Sequence, residues 1–330
     1  MTTTSGTERR SYDLHGVAIT VVSGVPAVHD ALDRRLRGFP VPAGQPSAVR
    51  IAFVEDAAGQ IPAPPRGRSR PVYDTPHGTL HYTQSTDTLW GELRGVRLRC
   101  DPTEGDVTIA CASFEGEALY LATHPLMTLS LMELLERRGR YAVHAACLAT
   151  VDGRGLLLAA PSGAGKSTLA LALVGSGMRF LADDVVFLIR DRQRGPVRVL
   201  GFSDAVGVTP HIASQMPELS IVLDAPPPAG FPKRLQRIED LLPVTVSTSC
   251  VPEVLVVPGI AADGGPTRIE ALDGGTALLG LVPDVLLTHP RSTQAHLGAI
   301  GALLEQIRCH RLEAGLDLEA TTRIVRGLLT

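Results

Sequence analysis

The stretch LLLAAPSGAGKSTLALALVGSG, residues 156–177, decides how this chain is read. Residues 156–160 are wholly apolar, as expected of a strand buried on both faces. They run into a glycine-rich turn, after which residues 167–174 carry a helical apolar pattern stopped by Gly175 and Gly177. Strand, glycine loop and helix in that order turn a short motif into a structural expectation. Residues 160–167 match G-x-x-x-x-G-K-[ST], the phosphate-loop or Walker A pattern, except at the first position, where Ala160 replaces glycine. Gly163 and Gly165 allow backbone amides to turn inward and form a nest for phosphate oxygens. The helix start adds its unpaired N–H groups and the positive end of its dipole. The expected cradle is Ser162, Gly163, Ala164, Gly165, Lys166, Ser167 and Thr168. In such a loop the lysine reaches the β- and γ-phosphates of a nucleoside triphosphate such as ATP, and the serine hydroxyl ligates Mg²⁺.

A phosphate loop alone identifies only a nucleotide. Neither lysine sits in the N-K-x-D context of a GTPase, and no LSGGQ-like signature of a transport ATPase occurs. Instead an acidic pair follows early, in FLADDVV (residues 180–186), with Asp183 only 17 positions after Lys166. The intervening length suffices for one helix, one glycine turn and a return into the sheet beside the loop. Two adjacent carboxylates repel each other, and a metal ion relieves that repulsion. One can hold Mg²⁺ while the other takes a proton from an attacking hydroxyl.

Working outward, 330 residues with 44% hydrophobic and 20% charged residues form an ordinary globular balance. A net charge of −3 gives no reason to expect a nucleic-acid or anionic-membrane partner. Five scattered cysteines without a CxxC pair argue against a zinc site or a disulfide scaffold. The N-terminus lacks the apolar core of a secretory signal, and a cytoplasmic protein is expected. Lysine occurs at only two positions, Lys166 and Lys233, among 31 basic residues. That scarcity singles out both as places where a compact ammonium is needed. Lys233 and Arg234 follow a proline-rich loop at 226–232, where a kinase would place cations to clamp transferring phosphoryl charge.

The rest of the chain reads in two parts. Residues up to Ser11 look like a loose tail, and 57–71 like a loop. Strands are expected at 16–22, 49–54, 79–82, 89–93, 97–100, 107–113 and 118–122, with a helix at 27–36. A helix opens at His124 and Pro125 and closes at Gly139, and residues 141–150 form the next strand. The expected division is therefore 1–124, a smaller strand-rich α+β domain suited to acceptor recognition, and 125–330, an α/β P-loop domain.

Residues 141–200 resemble the catalytic domain of the HPr kinase/phosphorylase family, through the histidine of YAVH, the S-G-x-G-K-S loop and L-A-D-D followed by hydrophobic residues. The resemblance implies a P-loop kinase domain of the HPr kinase type, using ATP and Mg²⁺ to phosphorylate a seryl hydroxyl. It matches Asp183 to the proton acceptor with His144 beside it and Asp184 to its acidic neighbour; the reading of the loop and the acidic pair gives Ser167 and Asp184 to the metal. The family commonly has glutamate where this chain has Thr168, and its later metal-linked glutamate has no counterpart here. The chain is more similar to stand-alone HPr-kinase-like proteins found with ribosomally made, modified peptides, including lasso-peptide kinases. That likeness implies a peptide or protein substrate with an acceptor serine; self-association into a homo-oligomer stays open. Two other readings share the loop: a small-molecule hydroxyl kinase, and a nucleotide-binding regulatory protein without transfer chemistry.

Overall fold

The computed structural model describes residues 7–41, 47–56, 66–75, 77–83, 85–161, 163–190, 195–202, 205–224, 226–227, 233–262, 264–281 and 290–329. The chain forms two compact units, one built on Met1–Arg138 and the other on Gly139–Pro227, Phe231–Leu287 and Thr293–Thr330. The division falls after Arg138, so the helix expected to open the second domain belongs to the first unit.

The first unit contains β1 (Glu8–Leu14), β2 (Val17–Ser23), α1 (Pro26–Leu36), β3 (Val49–Glu55), β4 (Ser69–Thr75), β5 (Gly78–Thr83), β6 (Thr88–Leu93), β7 (Val96–Asp101) and β8 (Asp106–Cys111). These strands make one sheet in the order β1-β2-β3-β8-β7-β6-β5-β4. α1 crosses from β2 to β3, which therefore run parallel, as do β3 and β8. The apolar side chains that α1 buries, Val28, Leu32 and Leu36, recur every four residues along one helical face. In β7 the strand period of two is explicit: Val96, Leu98 and Cys100 are buried, whereas Arg97, Arg99 and Asp101 are not.

Three expectations change here. Residues 8–11 are no tail, because β1 pairs residue for residue with β2 from Glu8↔Ser23 to Leu14↔Val17. Residues 69–71 open β4, while 57–65 of the expected loop lie outside the described residues. Residues 118–122 are helical: α2 (Gly116–Leu121) passes through a π turn at Ala122–Leu126 into α3 (Met127–Glu136). A short apolar run such as ALYLA fits a strand or a buried helix equally, and the helical pattern continuing behind it prevails. Pro125 does not open this helix. It lies inside the π turn, where the altered hydrogen-bond pattern accommodates its missing N–H. The 21 residues Gly116–Glu136 are long and apolar enough to cross a membrane by length and composition, and most of them are buried inside the protein.

The second unit is built from β9 (Tyr141–His144), β10 (Ala146–Ala149), β11 (Arg154–Leu158), α4 (Lys166–Gly175), β12 (Arg179–Ala182), β13 (Val185–Arg190), β14 (Val197–Gly201), β15 (Val206–Val208), α5 (Pro210–Gln215), β16 (Arg234–Gln236), β17 (Ser249–Ile260), β18 (Arg268–Leu272), α6 (Gly274–Leu281), α7 (Pro290–Gln306), β19 (Arg308–Ala314) and α8 (Leu318–Gly327). Its main sheet runs β12-β10-β11-β17-β14-β13-β9, with β19 and β18 added beside β17. β11, β17 and β19 are parallel. Leu156 and Leu158 face a cluster that includes Leu169, Leu173 and Val174 of α4. Leu157 and Ala159 face the opposite cluster, with Ile300 and Leu303 of α7. Helices on both faces make this an α/β unit and explain the unbroken apolar run. Each fully buried leucine contributes roughly 1.5–3 kcal/mol.

The strand expected over 141–150 breaks at the buried Ala145. Before the break β9 pairs with β13; after it β10 pairs with β11 and β12. This switch places His144 opposite Val185, next to the acidic pair.

Candidate active site

Three chain segments converge where β11 ends. Ala146 of β10 lies opposite Leu158 of β11, and Cys147 lies opposite Ala182 of β12. The phosphate loop leaves β11 at this point, and Asp183 and Asp184 form the connection from β12 to β13.

Gly163 and Gly165 both have φ +88°, the left-handed region that a side chain disfavours. A Cβ at either position meets nothing within 4 Å among the described residues, so the backbone conformation, not crowding, demands glycine. The Ala164 amide donates to the Pro161 carbonyl at 3.3 Å, closing the turn, and α4 begins at Lys166. Ala160 is buried and has no positive φ among the described residues, which is why alanine serves at the motif's first position. Thr168 lies half-buried in the first turn of α4. Ser162 lies outside the described residues.

Lys166 is only 8% exposed, and its Nζ lies 2.5 Å from His144 Nε2. His144 Nδ1 lies 2.9 Å from Asp184 Oδ1. Asp184 is largely exposed, whereas Asp183 turns inward. The Ser167 hydroxyl acts on the Asp183 carboxylate and favours its charged form. Asp183 Oδ1 is buried with no hydrogen-bond partner among the described residues. Burial pushes the Asp183 carboxyl above its ordinary value, and the like charge of Asp184 adds to this. The Ser167 hydroxyl and the cations of Lys166 and Lys233 oppose the rise.

The two aspartates are thus joined differently from the sequence expectation. Ser167, expected to share a metal with Asp184, acts on Asp183, and His144, expected beside Asp183, is paired with Asp184. Only the β9–β13 register reveals this, and no sequence signal carries that register. Lys233 lies over Gly207 of β15, where an added Cβ would meet its Cδ at 2.6 Å, and its charge acts on Asp183. Arg234 opens β16 opposite Val208, so it sits in a two-stranded ladder; residues 228–232 of the expected mobile loop lie outside the described residues.

A bound Mg²⁺ fits this corner on chemical grounds. A buried carboxylate oxygen without a donor, beside a serine hydroxyl, supplies the hard oxygen ligands the ion takes. No group of three or more His, Cys, Asp or Glu among the described residues forms a metal cage. The ion would therefore depend on phosphate and water oxygens for its remaining positions, as Mg²⁺ at nucleotide sites does.

No protein-family model matches the chain, and no curated protein matches it. Among solved structures, the chain is similar to the Hpr(Ser) kinase/phosphatase from Coxiella burnetii, at 15% identity over 57% of this chain and 95% of that one, with a TM-score of 0.27. At that score the likeness carries no argument of its own.

Proposed function

We propose that the protein is an ATP- and Mg²⁺-dependent kinase that transfers the γ-phosphate to a serine hydroxyl of a peptide or protein. The observation that carries the reading is the half-buried Asp183 carboxylate behind the phosphate cradle, with one oxygen buried without a hydrogen-bond partner among the described residues and the Ser167 hydroxyl favouring its charged form. In this reading the loop amides and Lys166 bind the phosphates. Ser167 and Asp183 hold Mg²⁺, which draws charge from the phosphate oxygens when bound. The His144–Asp184 pair stands on the acceptor side and takes the hydroxyl proton. The structure thus favours exchanging the roles that the sequence alone gives the two aspartates. Lys233, whose charge already reaches Asp183, stabilises charge on the transferring phosphoryl group, with Arg234 next to it in the chain. The first unit would recognise the acceptor.

The test is transfer of label from [γ-³²P]ATP to candidate acceptors with Mg²⁺ present. Label in a peptide, with an 80 Da mass increase (one HPO₃) on serine, supports the reading in full; label in a metabolite supports a small-molecule kinase instead. Loss of transfer in Asp183→Asn with nucleotide still bound excludes the purely regulatory alternative. Nucleotide binding without transfer to any acceptor class would leave that alternative standing and overturn the kinase.

A further inference from the structure

The Lys166 ammonium has a partner within the protein itself. Its Nζ contacts His144 Nε2 at 2.5 Å, and His144 Nδ1 contacts Asp184 Oδ1 at 2.9 Å. An ammonium only donates, so Nε2 carries the lone pair and Nδ1 the proton. The three groups form one directed chain: ammonium to imidazole to carboxylate. Lys166 is nearly buried, and a buried cation needs such a partner. The His144↔Val185 pairing fixes the histidine beside Asp184, so the chain is set by sheet register rather than by a mobile surface contact.

We propose that His144, braced by Asp184, is a positioning residue that parks Lys166 in the nucleotide-free protein, and that the β-phosphate of an incoming nucleotide takes the ammonium away from it. The proposal rests on the nucleotide-binding reading above and adds a coupling to it. While Lys166 is parked, it covers Nε2; once the phosphates hold Lys166, Nε2 opens toward the acceptor. Donor binding and uncovering of the imidazole nitrogen become one event. A ligand moves such an equilibrium only through what it binds differently in the two states, and here that difference is the lysine.

The coupling is tested on the full chain by ¹⁵N NMR of labelled histidine rings, with His144 assigned from the His144→Gln spectrum. Saturating Mg·ADP should shift the His144 Nε2 resonance, whereas AMP, which has no β-phosphate, should leave it in place. His144→Ala should bind Mg·ADP roughly 2- to 10-fold tighter than the parent, the span one net hydrogen bond supplies. His144→Gln, whose side-chain carbonyl also accepts from an ammonium, should return toward the parental affinity. A histidine that merely supports the fold would weaken binding in both variants. An unmoved Nε2 resonance at saturating ADP overturns the parking, as does weaker binding in His144→Ala that glutamine does not restore. If His144→Ala fails to fold, the NMR titration of the parent decides alone. If the parent binds no Mg·ADP, the nucleotide reading itself falls.

Discussion

The Ser167 hydroxyl favours the charged form of the Asp183 carboxylate at the foot of the phosphate cradle, and one oxygen of that carboxylate is buried without a hydrogen-bond partner among the described residues. The protein therefore carries an electrostatic penalty at its candidate site. Folding raises the Asp183 pKa, so the folded state holds that proton more tightly than the unfolded chain. The resulting stabilisation is full below the ordinary value of 3.8 and is lost as pH rises through the higher folded-state value. Asp183→Asn mimics the protonated form at every pH. Its Tm should exceed the parent's at neutral pH, and the gap should close as pH falls toward 3.8. Calorimetry across that range checks it; an equal or lower Tm at neutral pH would show that Lys166 and Lys233 outweigh burial.

Ser167→Ala removes the hydroxyl that favours the charged form of that carboxylate. A buried acceptor losing its partner costs about 1–3 kcal/mol. Half-burial of Asp183 puts the expected loss at the lower end. The cost should shrink in an Asp183→Asn background, whose neutral amide is less expensive to leave unpaired. Urea denaturation of the four members of this double-mutant cycle measures the coupling.

The second unit is more legible in the sequence than the first, for physical reasons. β11 is buried on both faces, so Leu156, Leu157 and Leu158 had to be apolar and the run stands out. Gly163 and Gly165 had to be glycine because φ is +88° at both. The acidic pair follows the loop closely because a single helix and β12 separate them. What pairs with each carboxylate depended instead on the break at Ala145, which moves the chain from β13 to β11. A four-residue strand either side of one alanine leaves no periodic trace of that move. In the first unit, residues 118–122 fit two periods over too few positions to separate them, and Glu8–Leu14 shows itself as a strand only through its pairing with β2.

Lys166→Ala should weaken Mg·ATP binding about 10- to 100-fold, the range for losing one charge-assisted hydrogen-bonding group. Lys166→Arg should not restore it. A guanidinium is broader and more rigid than an ammonium, and only 8% of Lys166 is exposed. Isothermal titration of both variants checks this, and full affinity in the alanine variant would refute the phosphate-loop assignment.

Gly165 caps α4 with φ +88° and ψ +6°, and a Cβ there meets nothing within 4 Å among the described residues. Substitution therefore tests backbone strain separately from crowding. Alanine in the left-handed region costs about 1–2 kcal/mol. Gly165→Ala should lose stability of that order, and Gly165→Asn should lose less, because asparagine tolerates the region through local hydrogen bonding. If the glycine served only to avoid a clash, the larger asparagine would be the worse substitution. Chemical denaturation of the two variants separates these outcomes: asparagine retaining more stability than alanine assigns the requirement to φ, and the reverse order would mean that the loop closes around Gly165 more tightly than the open space beside it indicates.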